Sequence, residues 1–281
     1  MVKEEVSKLG KRVSARKVKA GAAASVFTDV IPSELLMTVI LNDRAVSTVS
    51  CSPENLTEFT VGYLLNNGYV DSFSDINILK ICSRELNGAV TGNELSVQVN
   101  VKSNLPARPN GKDLLQSGFF RFVSSACGSL DDLIMGQRLQ KIKSTGRFDS
   151  KTVLKLNTEA AASQKFKKEL GGLHSAALFD STGKLIVLME DIGRHNCIDK
   201  IAGFMQIKRI EPADKIVYTT GRISIDVVFK MTKMRVPVLV SNSSVTHSAV
   251  FMAKKSGLTL VGYARGGRFN IYSWPERIVA S

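Results

Sequence analysis

Three short segments of this 281-residue chain hold residue types that do chemistry. The first is Ser124-Ser125-Ala126-Cys127-Gly128-Ser129, followed by Leu130, Asp131 and Asp132. Ser129 with Asp132 three residues on resembles a capping box, which predicts a helix start there. Cys127 then lies on small residues just before a helix N-terminus, where the positive end of the helix dipole favours thiolate over thiol. Such a thiolate is a nucleophile or sulfur carrier; the other reading is a structural cysteine in a turn. The second segment is Glu190-Asp191-Ile192-Gly193-Arg194-His195-Asn196. His195 there is either a general acid/base or orienting group near physiological pH, or a satisfied structural histidine. The third comprises two arginine–glycine turns, Gly221-Arg222 and Arg265-Gly266-Gly267-Arg268. Glycines let backbone N–H groups approach an anion, and arginines grip phosphate bidentately, although a simple tight turn has the same pattern. No Walker A loop or GxGxxG fingerprint is present. Gly171-Gly172-Leu173-His174 is a weaker case of the second kind, and His247 reads as a surface or capping group.

The elements that must position these residues follow from periodicity. Residues 35–50 read as two strands turning at Asn42-Asp43-Arg44. Ser52-Pro53-Glu54 reads as a helix opening with Pro at its first position, and Gly68 as that helix's stop. Leu95, Val97, Val99 and Val101 alternate with polar residues, as in a half-buried strand. Residues 103–118, with two prolines, two glycines and two asparagines, read as a loop and domain junction. From about residue 170 apolar runs alternate with helical stretches. Strands are predicted at 176–179 and 185–189 around the turn 180–183, then at 215–219, 236–241 and 258–263. Helices are predicted from about Asn196, over 224–234 and over 246–255, the last closed by Gly257. Residues 269–272 read as a continuation of the strand before them. Strand–helix alternation with short joints is a layered α/β domain, with ligands expected where strands end and helices begin.

Composition bounds the function classes. The formal net charge is +13, which favours anionic partners. Residues 1–20 carry Lys3, Lys8, Lys11, Arg12, Arg16, Lys17 and Lys19 against Glu4 and Glu5, and are expected to form a mobile, solvated tail. Cys51, Cys82, Cys127 and Cys197 show neither disulfide-framework nor zinc spacing. There is no apolar run of bilayer-spanning length and no secretory h-region, so a cytoplasmic location is expected. Aromatic residues are only 7% and no nucleic-acid motif is present, so neither nucleic acid nor a membrane is expected as partner.

Taken together, the stretches at 52–68, 124–129, 171–180, 190–203, 221–230 and 256–272 resemble the formate dehydrogenase accessory sulfurtransferase family (FdhD). EDIGRHN, a downstream GRxS and a final RGGR turn are the most specific part of that resemblance. It implies an α/β (α+β) fold: a cytidine-deaminase-like three-layer domain over 121–281, a smaller N-terminal α/β domain over 23–120 and a basic flexible tail over 1–22. It implies a persulfide-type sulfurtransferase. Such a protein takes sulfur from a cysteine desulfurase on the cysteine matching Cys127. It passes that sulfur to the molybdenum cofactor, bis(molybdopterin guanine dinucleotide), needed by formate dehydrogenase. The family's cofactor-binding segment matches Tyr263, Ala264, Arg265, Gly266, Gly267 and Arg268, and Arg222 and His195 join it as expected contacts to phosphates and guanines. A homodimer is an expectation of the same resemblance.

One departure bears on mechanism. Leu130 stands where the family has the second cysteine of Cys-x-x-Cys, so a single-cysteine carrier is expected rather than a two-cysteine relay. The alternative is a non-covalent cofactor-binding chaperone for formate dehydrogenase without sulfur transfer. Zinc deaminase chemistry needs H-x-E and P-C-x-x-C. The corresponding joints here read His195-Asn196-Cys197 and Gly221-Arg222-Ile223-Ser224, so no zinc or other metal site is expected.

Overall fold

A computed structural model describes residues 9–21, 23–85, 95–103 and 141–280. Its centre is a six-stranded sheet. β8 (His174–Phe179) and β9 (Leu185–Asp191) form an antiparallel pair around the turn at 180–183. Then come β10 (Ile216–Thr219), β11 (Val238–Ser241) and β12 (Thr259–Arg265), three parallel strands each reached through a helix. β13 (Arg268–Ser273) returns antiparallel to β12, giving the order β13-β12-β11-β10-β8-β9. Residues 269–272 were expected to prolong β12. They instead reverse direction, because Gly266 and Gly267 both take left-handed φ, 62° and 73°, the pair of values a two-residue hairpin needs.

Adjacent residues on the central strands face opposite layers, as the period of two requires. Val217, Leu239 and Leu260 point into one core with Ile198, Val228 and Met252. Those last three come from α4 (Arg194–Ile207), α5 (Ile225–Met234) and α6 (His247–Ser256), which cover that face. Tyr218, Val240 and Val261 point the other way, against Val153, Leu156 and Ala160 of α2 (Ser150–Ser163). The result is three layers, α/β/α, of mixed α/β class. Each fully buried Val, Leu or Ile in these cores contributes about 1.5–3 kcal/mol. The pair β7 (Phe148–Asp149) and β14 (Ile278–Val279) and the short α3 (Lys167–Leu170) complete this part.

The N-terminal part is a second sheet, β4-β3-β6-β5, from β3 (Leu35–Leu41), β4 (Arg44–Cys51), β5 (Ile76–Glu85) and β6 (Leu95–Ser103). Its buried face, including Met37, Val39 and Val99, packs under Phe59 and Leu64 of α1 (Leu56–Asn66). The expected helix opening at Pro53 is displaced. Asn55, at φ 54°, turns the chain left-handed, and the helix begins after it. α1 also crosses α4 at very close range. A Cβ built on Gly62 would lie 1.8 Å from the Asp199 carbonyl oxygen, and one on Gly203 equally close to that of Glu58. Only hydrogen side chains permit that approach.

The basic tail expected over 1–22 is in part regular structure. β1 (Gly10–Lys17) pairs antiparallel with β2 (Ser25–Pro32) through eight consecutive partners, forming a two-stranded ribbon ahead of β3. Residues 104–140 lie outside the described residues. The loop and junction expected over 103–118, the boundary at 120 and the whole Cys127 segment therefore fall there, apart from Ser103 at the end of β6.

Candidate functional site

The parallel strands β10, β11 and β12 end at one edge of the domain, and the register fixes what joins them there. Thr219 pairs Ala176 near the start of β8, and His174 pairs Asp191 at the end of β9. His174, the 190–196 motif, the joints after Thr219 and Ser241, and the β12–β13 turn therefore share the sheet's C-terminal end. The N-termini of α4, α5 and α6 open at the same end, each contributing the partial positive charge of unsatisfied backbone N–H groups.

Within the motif, the two carboxylates are committed to holding the structure. Glu190 accepts from the backbone N–H groups of Lys165, Phe166 and Lys167 at 2.9, 3.0 and 2.8 Å, fastening the start of α3 to the sheet. Asp191 and Lys200 form an ion pair at 2.6 Å with both side chains wholly buried. Asp191 also accepts from the Ser52 and Gly193 amides at 3.1 and 2.9 Å and from Asn196 Nδ2 at 2.8 Å. Asn196 further donates to the Ser50 carbonyl at 2.8 Å, and the Ile192 amide donates to Ser52 Oγ at 3.1 Å. Lys200 Nζ donates to the Glu190 carbonyl at 3.1 Å. This network joins the end of β4 to the start of α4. A second one runs from Asn66 of α1 to Asp199 at 2.7 Å and on to Lys230 of α5 at 2.5 Å.

The rest of the motif faces the strand ends. His195 Nε2 lies 3.3 Å from Ser224 Oγ, the N-cap residue of α5. Burial, followed by the nearby charges of Lys230, Arg194 and His174, pushes the His195 imidazole down to about 4. It is thus a neutral hydrogen-bonding group at physiological pH, not a cation. His174 is shifted downward too, first by burial and then by Lys167 and Arg194. Burial holds the Asp226 carboxyl above its ordinary range, opposed by Lys230 and Arg194. Arg194 Nε is buried with no hydrogen-bond partner among the described residues. Its side-chain stem lies against Gly221, where a Cβ would come within 2.7 Å of the Arg194 Cβ.

Of the residues singled out from sequence, Arg222 is exposed two positions before Ser224. Tyr263 sits at the end of β12 with a left-handed φ of 54°, an uncommon conformation for a bulky residue. Its amide donates to the Ser243 carbonyl at 2.9 Å, and the residue is 37% exposed. Ala264 is buried in the core beneath the hairpin. Arg265 and Arg268 face each other across the exposed Gly266-Gly267 turn. Cys127 lies outside the described residues. Among the other cysteines, burial pushes the Cys51 thiol up to about 12 and raises Cys197 as well, while Cys82 is exposed. Sequence reasoning missed Asn66, Asp199, Lys200 and Lys230. The one available signal was Lys200 itself, a cation set among the apolar positions Ile198, Ile201 and Ala202.

The molecule is thus a three-layer α/β protein whose parallel strands end at an edge carrying arginines and glycine turns. It belongs to the FdhD/NarQ family, whose model matches residues 32–279. It is 31% identical over 269 residues to "Sulfur carrier protein FdhD" of Sulfolobus acidocaldarius, covering 95% of this chain and 98% of that one. It is also 31% identical over 264 residues to the protein of the same name from Staphylococcus aureus strain MRSA252, covering 90% and 91%. Among solved structures it is similar to a candidate formate dehydrogenase accessory protein from Desulfotalea psychrophila. The TM-score is 0.74 at 25% identity, covering 96% of this chain and all of that one. No helix among the described residues is long and apolar enough to cross a membrane.

Proposed function

We propose that this chain is a sulfur carrier in the maturation of formate dehydrogenase, working as a persulfide-type sulfurtransferase through Cys127. The observation that carries the reading is its match to the family over residues 32–279, with relatives named as sulfur carriers that it matches over nine-tenths or more of their length. In the transfer step, the Cys127 thiolate attacks the outer sulfur of a cysteine desulfurase persulfide. The S–S bond of that persulfide breaks, the desulfurase cysteine leaves as thiolate, and the outer sulfur with its proton remains on Cys127. Of the described cysteines, Cys51 and Cys197 suit this role less, since both are buried with raised thiols.

The substrate that receives the sulfur is the molybdenum cofactor, bis(molybdopterin guanine dinucleotide). Its phosphates would be held by Arg222, Arg265 and Arg268 and by amides of the Gly266-Gly267 turn, with Tyr263 and Ala264 completing that segment. Neutral His195 would orient a polar group of the cofactor while Ser224 fixes its ring. The support is electrostatic: with Glu190 and Asp191 engaged by amides and Lys200, this edge opposes little negative charge to an anionic ligand.

Mass spectrometry after incubation with a cysteine desulfurase and cysteine tests the covalent step. A gain of one sulfur on Cys127, absent from Cys127→Ala, supports transfer. No gain leaves a cofactor-binding chaperone without a covalent step, the alternative that Leu130 in place of a second cysteine keeps open. Cys127→Ala is also expected to fold and bind cofactor normally while abolishing formate dehydrogenase activity in the host.

A further inference from the structure

Of the cations around the start of α4, Lys200 is ion-paired with Asp191 and Lys230 with Asp199. Arg194 has no such match. Its Nε is shut off from solvent, and its side chain makes no hydrogen bond or ion pair among the described residues. Burial raises the Asp226 carboxyl and the charges of Lys230 and Arg194 oppose that rise, yet Asp226 and Arg194 form no ion pair. A guanidinium carries several N–H donors and keeps its charge, so leaving it unmet away from water costs free energy. Its place adds to that cost. The helix dipole opposes a cation in the first turn of α4, and that turn holds no acid.

The fold nevertheless clears room for this side chain. Its stem crosses Gly221, where a Cβ would lie 2.7 Å from Arg194 Cβ and 2.9 Å from Arg194 Cδ. Gly221 is held on both sides. Its amide donates to Thr219 Oγ1 at 3.1 Å, and its carbonyl accepts from Ser241 Oγ at 2.8 Å. Its φ is not left-handed, so glycine serves clearance there and not a strained backbone. Arg222 follows it and is exposed. The joint after β10 thus carries one guanidinium laid across it from α4 and a second beside it in solvent.

We propose that Arg194 is the inner phosphate anchor of this edge, and that its ligand is the diphosphate of a nucleotide gripped between Arg194 and Arg222. One carboxylate would satisfy one arginine; two joined phosphates carry charge and acceptor oxygens for both. Gly193 and Ser224, the N-caps of α4 and α5, provide no side-chain cap, so first-turn amides on either side of the joint are left to the same anion. The inference rests on the cofactor reading above and adds to it a residue and a group. On this assignment Arg194 recognises the diphosphate and not the base, and Gly221 is its positioning residue.

The test uses the full chain, with pyrophosphate and GDP as probes in isothermal titration at about 50 and 200 mM salt, where screening differs twofold in length. Arg194→Met keeps an unbranched stem and deletes the guanidinium. It is expected to lose about tenfold to hundredfold in affinity for both probes alike, the worth of charge-assisted hydrogen bonds. That loss should persist at the higher salt, whereas the loss in Arg222→Gln, at an exposed site, should shrink. Without ligand, Arg194→Met should melt no lower than wild type, because it removes an unmet cation. Gly221→Ala should weaken both probes in the wild-type chain and change affinity less than about twofold in the Arg194→Met background. Unchanged affinity in Arg194→Met, a loss confined to GDP, or a lower melting point without ligand overturns the proposal. So does lost loading of Cys127 by desulfurase with diphosphate affinity intact, which would move Arg194 to the sulfur step. If wild type binds neither probe, the cofactor reading falls and this assignment with it; if wild type binds and Arg194→Met binds equally, only the assignment falls.

Discussion

Removing the charge from Asp191 should unfold more than its own neighbourhood. In Asp191→Asn, the Lys200 ammonium stays wholly buried and keeps only the Glu190 carbonyl at 3.1 Å of its two described partners. At the native 2.6 Å separation, the pair attraction is about 6 kcal/mol with an effective dielectric near 20, most of it offset by the cost of dehydrating both ions. The unpaired charge left behind is what the variant exposes, and breaking a buried pair from one side costs about 3–5 kcal/mol. Lys200→Met falls toward the lower end of that range, because Asp191 keeps the amides of Ser52 and Gly193 and the Asn196 side chain. The double variant Asp191→Asn/Lys200→Met should cost about 2–3 kcal/mol less than the sum of the singles, since neither charge is then stranded. Urea titrations of the full chain followed by far-UV circular dichroism measure all three. Hydrogen exchange at the Ser52 amide, a direct donor to Asp191, reports whether the joint between the two sheets loosens first. Additive single costs, or singles under about 1 kcal/mol, would refute the assignment of this pair as the joint's central bolt.

Three further outcomes follow from local geometry. Gly62→Ala or Gly203→Ala drives a methyl group to 1.8 Å from a carbonyl oxygen, so α1 and α4 must part; a loss of about 3 kcal/mol in urea is expected for each, the upper range for overpacking. His195 stays neutral in the folded chain down to about pH 4, whereas the unfolded chain binds its proton near 6.5. The unfolded state then holds more protons between those values, so stability falls as pH drops through that window. His195→Gln should flatten this part of the stability profile, and an unchanged slope would count against the buried neutral imidazole. In a Cys127→Ala background, iodoacetamide at pH 7.5 should modify Cys82 rapidly and leave Cys51 and Cys197 untouched until denaturant is added, as peptide mapping would show.

The strands from β8 to β12 and the helices from α4 to α6 were legible because their apolar positions alternate or recur at helical spacing and do end up buried. α2 was less so: only Val153, Leu156 and Ala160 of its fourteen residues are buried, a narrow stripe in a polar sequence. The ribbon escaped notice for the opposite reason. Its alternation is real but leads to exposure, and a charge-rich N-terminus reads as tail. The start of α1 was misplaced because Asn55, not Pro53, sets the turn, and a left-handed asparagine leaves no distinctive mark in sequence. The site was legible as a set of segments and not as a set of roles. Ser52 meets Asp191 across 139 positions, and Asn66 meets Asp199 across 133. Such partners are chosen by the α1–α4 crossing, which two glycines permit, and no local pattern announces them.

That reassignment of roles sharpens what the motif contributes. Glu-Asp at a strand end invites an acid–base reading, yet both carboxylates are spent: one on three backbone amides, the other on a buried lysine and three further donors. Spending them has an electrostatic consequence. On the proposed function, an exposed carboxylate pair at this edge would repel the phosphate-rich substrate that Arg222 is there to attract. Pairing Asp191 with Lys200, surrounding Glu190 with amide donors and keeping His195 uncharged favours the arginines and three helix N-termini in the field there. On the proposed function, the acids build the edge and the arginines use it. Reintroducing a carboxylate at the rim, as in Arg222→Glu, should therefore weaken guanine dinucleotide binding more than Arg222→Gln does. Isothermal titration at low salt measures both, and equal losses in the two variants would mean that Arg222 acts by contact alone.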